Sequence, residues 1–330
     1  MKKKFLVTGG AGYKGSHVVR LLLEKKYDVL VFDNFSTGNK FACVGVPYIE
    51  GDLTNKEQID DTLRSYKPDV VIHFAANAYV GESVSDPLKY YKNNIGSGLN
   101  LLELMIKNNT DKIIFSSSCA VYGIPETFPI DESTEKKPIN PYGKTKHMFE
   151  EILQDFREAY GLKFISLRYF NAAGAHESGT LGEWHEPETH FIPLLMETVL
   201  GRRKELKIYG NDYDTPDGTC IRDYVHVMDL AEAHIKAAEL LFHKDSGEYL
   251  NIGAEKGTSV LEIIKKLESL LNIDIKFCWD ERRIGDPAKL VANCEKARNV
   301  LKWKPQYSDL EHILLSAYNW HKRRERTKCD

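Results

Sequence analysis

Hydrophobic and polar positions along the first half of this chain follow two rhythms. Short continuous apolar runs, Phe5-Leu6-Val7, Val29 to Phe32, Val70 to Phe74 and Ile113 to Phe115, read as strands covered on both faces. Val46 to Ile49 is a weaker run of the same kind. Between the runs lie segments with helical spacing, such as Ser16 to Lys25 with Val18, Val19, Leu21 and Leu22. This alternation predicts an α/β fold with a doubly wound parallel sheet.

Phe164-Ile165-Ser166-Leu167 predicts one more strand, and then the rhythm breaks. Residues 171 to 189, with several Gly, Glu and His, read as a polar loop. A helix is expected over Phe191 to Leu200. Tyr224 to Val227 and Leu230 to Leu241 resume the α/β style, and helices are expected near Ser259–Leu271 and Leu310–Trp320. No internal repeat or low-complexity segment is present. The expected division is a first α/β domain over 1–170, with 220–245 returning to it. A second, smaller, mixed α/β substrate domain, discontinuous, is expected over 171–330.

The chain has 330 residues, 42% of them hydrophobic, enough for a large domain and a smaller one. Its 45 Lys+Arg against 48 Asp+Glu leave a net charge of −3, which draws it to neither nucleic acid nor an anionic membrane. No 18-residue apolar stretch exists. The six cysteines form no Cys-x-x-Cys pair and read as free thiols in a reducing compartment. Lys2, Lys3 and Lys4 precede a short apolar run that flows into Thr8-Gly9-Gly10, a first strand rather than a signal peptide. A soluble cytoplasmic protein is expected.

Gly9-x-x-Gly12-x-x-Gly15 follows the first strand and opens the first helix. Such glycines let the backbone approach a pyrophosphate, which the helix N-terminus then attracts, so the 1–170 domain is expected to be a dinucleotide-binding Rossmann domain. Asp33 ends the second strand; a carboxylate there accepts both ribose hydroxyls and repels a 2′-phosphate, favouring NAD over NADP, unless it serves only a turn with Asn34. Asp52 reads equally as an adenine partner or a helix N-cap. Phe74, Ala75 and Ala76 end the fourth strand with side chains small enough to let a cofactor run close by, or simply to pack. Lys14 within the turn either neutralises phosphate or points to water, and water is the favoured reading.

Asn140-Pro141 reads as a helix start, which puts Tyr142 and Lys146 at i and i+4 on one face. A phenol is a poor base near its ordinary pKa of about 10. A neighbouring ammonium and a nicotinium charge lower that value, so Tyr142 can take a proton from a substrate hydroxyl. Ser118, at a strand's carboxyl end, can hydrogen-bond the same oxygen.

These residues resemble the extended short-chain dehydrogenase/reductases, and within them the UDP-glucose (UDP-galactose) 4-epimerase family. The likeness runs through Thr8 to His17, Asp33-Asn34, Ser116 to Gly123, Pro141 to Lys146, Arg168 to His176 and Asp217 to Val227. It implies an NAD-dependent isomerase of galactose metabolism with Ser118, Tyr142 and Lys146 as the catalytic set. NAD is regenerated at each turnover and stays tightly bound. Gly9, Gly12, Tyr13, Lys14, Gly15, Asp33, Asn34, Asp52, Phe74, Ala75, Ala76, Asn93, Ser116, Tyr142, Lys146 and Tyr169 would contact the cofactor. Ser118, Tyr142, Asn171, Arg222, Arg283, Asp286 and Leu290 would contact a UDP-sugar, with both arginines on the diphosphate and Asp286 on ribose. Surface ion pairing is the alternative for the arginines. A homodimer formed through about 86–108 and 141–160 is implied too.

The chain departs from the family at Lys14, where isoleucine is usual, and along Asn77-Ala78-Tyr79-Val80. At Leu290 the family associates a large tyrosine with exclusion of N-acetylated sugars and a smaller residue with their admission. Epimerases of UDP-N-acetylhexosamine or of UDP-xylose/UDP-arabinose therefore remain alternatives. A dehydratase lacks its acidic partner here, since Cys119 and Ala120 follow Ser118. A non-catalytic NAD sensor has no need of both Tyr142 and Lys146. His176, His185 and His190 among Glu177, Glu183, Glu186 and Glu188 match no closed zinc spacing. They read as a substrate-covering or dimer-exposed loop, and no metal is expected.

Overall fold

The computed structural model describes residues 2–283 and 286–327. The apolar runs form β1 (Lys4–Thr8), β2 (Asp28–Asp33), β3 (Tyr48–Glu50), β4 (Val70–His73), β5 (Lys112–Ser118) and β6 (Lys163–Tyr169). Between them lie α1 (Tyr13–Glu24), α2 (Lys56–Tyr66), α3 (Val80–Ser85), α4 (Pro87–Tyr90), α5 (Ser97–Lys107) and α6 (Pro141–Tyr160). A π-helical turn over Tyr91–Gly96 joins α4 to α5. The second half adds β7 (Asn171–Ala173), α7 (Phe191–Val199), β8 (Leu206–Tyr209), β9 (Ile221–His226), α8 (Val227–Leu241) and β10 (Gly247–Ile252). It ends with β11 (Gly257–Ser259), α9 (Val260–Leu271), β12 (Phe277–Asp280), β13 (Lys289–Leu290), α10 (Glu295–Leu301) and α11 (Leu310–Thr327).

Seven parallel strands form the central sheet in the order β10-β6-β5-β4-β1-β2-β3. Alternate residues of β1 explain its two covered faces. Phe5 and Val7 enter a core with Val18, Val19 and Leu22 of α1 and Leu230 and Ile235 of α8. Leu6 points the other way, into a core with Leu63 of α2, Leu102 of α5 and Phe149 of α6. The strand order turns back between β1 and β4, and the gap at their carboxyl ends is where an open α/β sheet binds a ligand.

A third core holds Ile192 and Leu195 of α7, Ile263 and Leu267 of α9, and Ile313 and Leu314 of α11. Around it lie a four-stranded sheet of β7, β9, β11 and β13 and the β8–β12 pair. Ser259 and Glu262 close a reciprocal cap that starts α9.

Two expectations change. The 171–189 segment is not loop throughout, because Asn171–Ala173 pairs in parallel with Tyr224–His226. Its small side chains fit against β9, and its shortness hid any strand period. The chain's return to the main sheet does not stop near 245. After α8 packs on α1, β10 pairs with β6 through Ile252, as an edge strand whose first residues are only half-buried. The five described cysteines are free, and Cys329 lies outside the described residues. Among the described residues no helix is long and apolar enough to cross a membrane.

Candidate active site

One open cleft of about 1010 Å³ lies at the switch point of the sheet. Every residue that the sequence assigns to the cofactor lines it. Gly9 leaves β1 at φ +71°, and a Cβ there would sit 2.6 Å from the amide nitrogen of Ala75, just past β4. The two strand ends thus come as close as glycine allows. Gly12 caps α1 with extended backbone and no side-chain hydrogen bond, and the first turn carries no acidic residue. The α1 amides are left to face an anion.

Asp33 is buried at the end of β2, accepting from the Ala11 amide at 2.9 Å and the Phe35 amide at 2.8 Å. Burial raises its pKa, and the two amides pull it back down. It therefore serves the local turn and the cleft together. Asn34 Nδ2 donates to Asp52 Oδ2 at 2.8 Å. Asp52 is not the N-cap of α2: Asn55 is, accepting from Glu57 and Gln58. Ser36, Thr37, Gly38 and Ser97 also line the cleft and were not singled out from the sequence. The short polar turn directly after Asp33-Asn34 was the available signal for the first three.

The catalytic candidates converge at the other end. Asn140 accepts from the Gly143 amide at 2.8 Å and starts α6, with Pro141 in the first turn. That start brings Tyr142 and Lys146 onto the face toward β5. Lys146 Nζ is 5.8 Å from the Tyr142 ring centroid and 4.8 Å from that of Phe115. Ser118 acts on the Tyr142 phenol to lower its pKa, while its own Oγ accepts from the Ala120 amide at 3.1 Å. Ser116 and Tyr169 join their hydroxyls across β5 and β6. Asn93, in the π-helical turn, donates to Asn94 at 3.0 Å.

The electrostatics differ from the sequence reading in two respects. Burial pushes the Tyr142 phenol up to about 12, more than the hydrogen bond from Ser118 lowers it. The lysine alone does not produce the expected lowering, so a pyridinium charge is the further contribution required. Lys14 does not point to water. It is part-buried in the cleft, its Nζ 5.7 Å from the Tyr169 ring centroid. Burial lowers its pKa, and Glu183 acts in the opposite sense. Burial, and after it the Lys14 ammonium, push Lys146 down to about 7, with Glu150 opposing. The part-buried Lys14 ammonium therefore disfavours the charged form of the buried Lys146.

The residues expected to bind a sugar nucleotide sit apart from the cleft lining, except Tyr142. Arg222 and Asp286 form an ion pair with each other, and Arg222 Nη1 also donates to its neighbouring Ile221 carbonyl at 2.8 Å. Leu290 stands opposite Arg222 in the β13–β9 register, and Asn171 opposite Tyr224. Arg283 is exposed, its guanidinium 4.1 Å from the Tyr209 ring centroid. Within Arg282–Asp286, Ile284 and Gly285 lie outside the described residues.

Glu183, His185, Glu188 and His190 come together in one cluster. The remaining members of that segment go elsewhere: His176 toward Glu24, Glu177 toward His312, and Glu186 to the Trp184 indole.

The fold and cleft define a class, and comparison with known proteins places the chain within it. Residues 5–253 match the model of the NAD dependent epimerase/dehydratase family. The chain belongs to that family. It is 48% identical over 320 residues to a UDP-glucose 4-epimerase of Rhizobium meliloti (strain 1021), covering 97% of each protein. A UDP-glucose 4-epimerase from Brucella ovis solved in complex with NAD is 46% identical, with a TM-score of 0.93 over 96% of this chain and 97% of that one. The UDP-Glc/GlcNAc 4-epimerase of Campylobacter jejuni is 40% identical, with a TM-score of 0.85 over 97% and 99% of the two chains. The cofactor is NAD, and the glycine turn, the open α1 N-terminus and Asp33 fit it.

Proposed function

We propose that this protein interconverts UDP-glucose and UDP-galactose by inverting C4 of the sugar through a 4-keto intermediate. The observation that carries this reading is the Ser118–Tyr142–Lys146 arrangement, a phenol and a buried ammonium that line the cofactor cleft, with the Ser118 hydroxyl acting on the phenol. NAD⁺ held in that cleft supplies a hydride acceptor that also returns the hydride. Tyr142 takes the proton of the 4′-hydroxyl as the C4 hydride leaves, and gives it back to the ketone oxygen afterwards. Ser118 holds the same oxygen. Lys146, anchored by Ser116, stabilises phenolate.

Inversion requires the ketosugar to turn over while the nucleotide stays fixed. Arg222 and Arg283 on the diphosphate, Asp286 on the ribose and Asn171 beside the sugar suit that division. The Arg222–Asp286 pair holds two of these groups in place before substrate arrives. This makes the 171–330 half the sugar-nucleotide side and the 1–170 half, with α8 and β10, the NAD side. Apolar side chains on the α4–α6 face, Leu88, Leu99 and Met148, are exposed and suit pairing with a second copy. Work on a cytoplasmic nucleotide-sugar pool fits the five free thiols among the described residues.

A second reading, epimerisation of UDP-N-acetylhexosamines as well, is favoured by Leu290, smaller than tyrosine, and by the C. jejuni relative's dual name. Purified protein given UDP-galactose without added NAD tests the main reading. UDP-glucose should form, and Tyr142→Phe should abolish it. Equal rates in the two proteins would remove the phenol from the mechanism.

A further inference from the structure

The loop that leads into α7 carries a constellation that hydride chemistry does not use. Glu183, His185, Glu188 and His190 each offer one ligand atom, and these four atoms lie within 4.8 Å of one another. The two carboxylate side chains are only 6% and 7% exposed. Two carboxylates taken out of water in one place require compensation by positive charge. His190 Nδ1 meets Glu183 Oε1 at 2.5 Å. Glu188 Oε1 accepts from the Thr189 and His190 amides at 2.8 and 2.9 Å, leaving Oε2 turned toward His185. His185 Nδ1 is buried and has no hydrogen-bond partner. It stands 3.5 Å from Glu188 Oε2 and 3.6 Å from Glu183 Oε1.

Those separations are poor for hydrogen bonds and close to the edge of a coordination tetrahedron. Zinc–nitrogen and zinc–oxygen bonds of about 2.0–2.2 Å set neighbouring ligands about 3.4 Å apart. Two imidazoles with two carboxylates suit a borderline ion such as Zn²⁺ better than Ca²⁺ or Mg²⁺, which prefer all-oxygen sets. Two carboxylates and two neutral imidazoles carry a charge of −2, which one dication cancels.

We propose that Glu183, His185, Glu188 and His190 form a site for a divalent transition ion of the Zn²⁺ class, which fastens the 183–190 loop over the mouth of the cofactor cleft. His185 lines that cleft, so the ion would hold part of its wall. The loop is already tied at two carbonyls: Asn39 donates to Trp184 at 3.3 Å, and Trp320 of α11 donates to Glu183 at 3.0 Å. The ion takes the place of the proton shared by His190 and Glu183, which passes to solvent. It stands outside the Tyr142 chemistry and acts through the position of the loop.

The test uses tag-free holoenzyme with its NAD, treated with a chelator, dialysed and titrated with Co²⁺ as a spectroscopic substitute. Saturable uptake of one ion per chain with the intense visible band of four-coordinate Co²⁺ is expected, along with a rise in melting temperature. Glu183→Gln and His190→Ala should each lose the band. Absence of a saturable band in the wild-type protein would overturn the proposal. So would an undiminished band in both variants, which would place the ion elsewhere, for example on a cysteine. Uptake is read from the protein and not from turnover, so its failure would leave the epimerase reading standing.

Discussion

Lys146 Nζ donates to the carbonyl oxygen of Ser116 at 2.7 Å, one helical turn beyond Tyr142. The bond fixes the ammonium between the end of β5 and the phenol, in surroundings where burial makes its charge costly. Replacing Lys146 with Met should leave the fold intact while turnover falls by about 10²–10⁴-fold, the usual span for losing one acid–base partner. Steady-state rates set against far-ultraviolet dichroism check this.

Burial, and after it Lys14, lower the pH at which Lys146 loses its proton. A cation nearby disfavours the protonated form, so removing it raises the Lys146 pKa from about 7 toward the ordinary lysine value. In Lys14→Ile the alkaline fall of kcat that tracks loss of the Lys146 ammonium should move to higher pH. Paired pH–rate profiles measure the shift; an unmoved or acid-shifted limb would contradict it.

Lys14 also marks where sequence reading stops. The glycine turn, the strand ends and the Tyr142–Lys146 pair were legible because each depends on a local period or a helix start. Whether Lys14 faced water depended on Tyr169 and Glu183, which are distant in sequence. The same applies to the Arg222–Asp286 ion pair, which forms through the packing of β9 beside the segment that leads to β13. β10 escaped notice because an edge strand shows a weak apolar pattern. Glu183, His185, Glu188 and His190 stand out in the sequence, but their convergence into one cluster depends on how the loop folds.

The buried pair of Glu150 and Arg168 locks α6 onto β6. Arg168 Nη2 lies 2.7 Å from Glu150 Oε2 and Nε lies 2.9 Å from Oε1, both side chains being 3% exposed or less. Ser166 and Tyr122 complete the network. Arg168→Met leaves an unpaired buried carboxylate and should cost about 3–5 kcal/mol. Urea unfolding measures it.

Gly9→Ala sets a Cβ against Ala75 in a backbone conformation, φ +71°, that L-residues avoid. The strain is about 1–3 kcal/mol, and the displaced turn should lose its hold on the cofactor. NAD released on denaturing the purified variant should be well below the wild-type amount.

On the proposed reading, with Leu290 beside the sugar, Leu290→Tyr narrows that side of the site. Turnover of UDP-N-acetylglucosamine should fall more than that of UDP-galactose, measured as the ratio of the two kcat/KM values.

The central claim is that one hydride leaves C4 and returns to it without meeting solvent. UDP-galactose carrying deuterium at C4 tests this directly, with no NAD added and the product read by mass spectrometry and NMR. Full retention of the label at C4 of UDP-glucose is the predicted result; exchange of the label for solvent hydrogen, or no conversion at all, would contradict it.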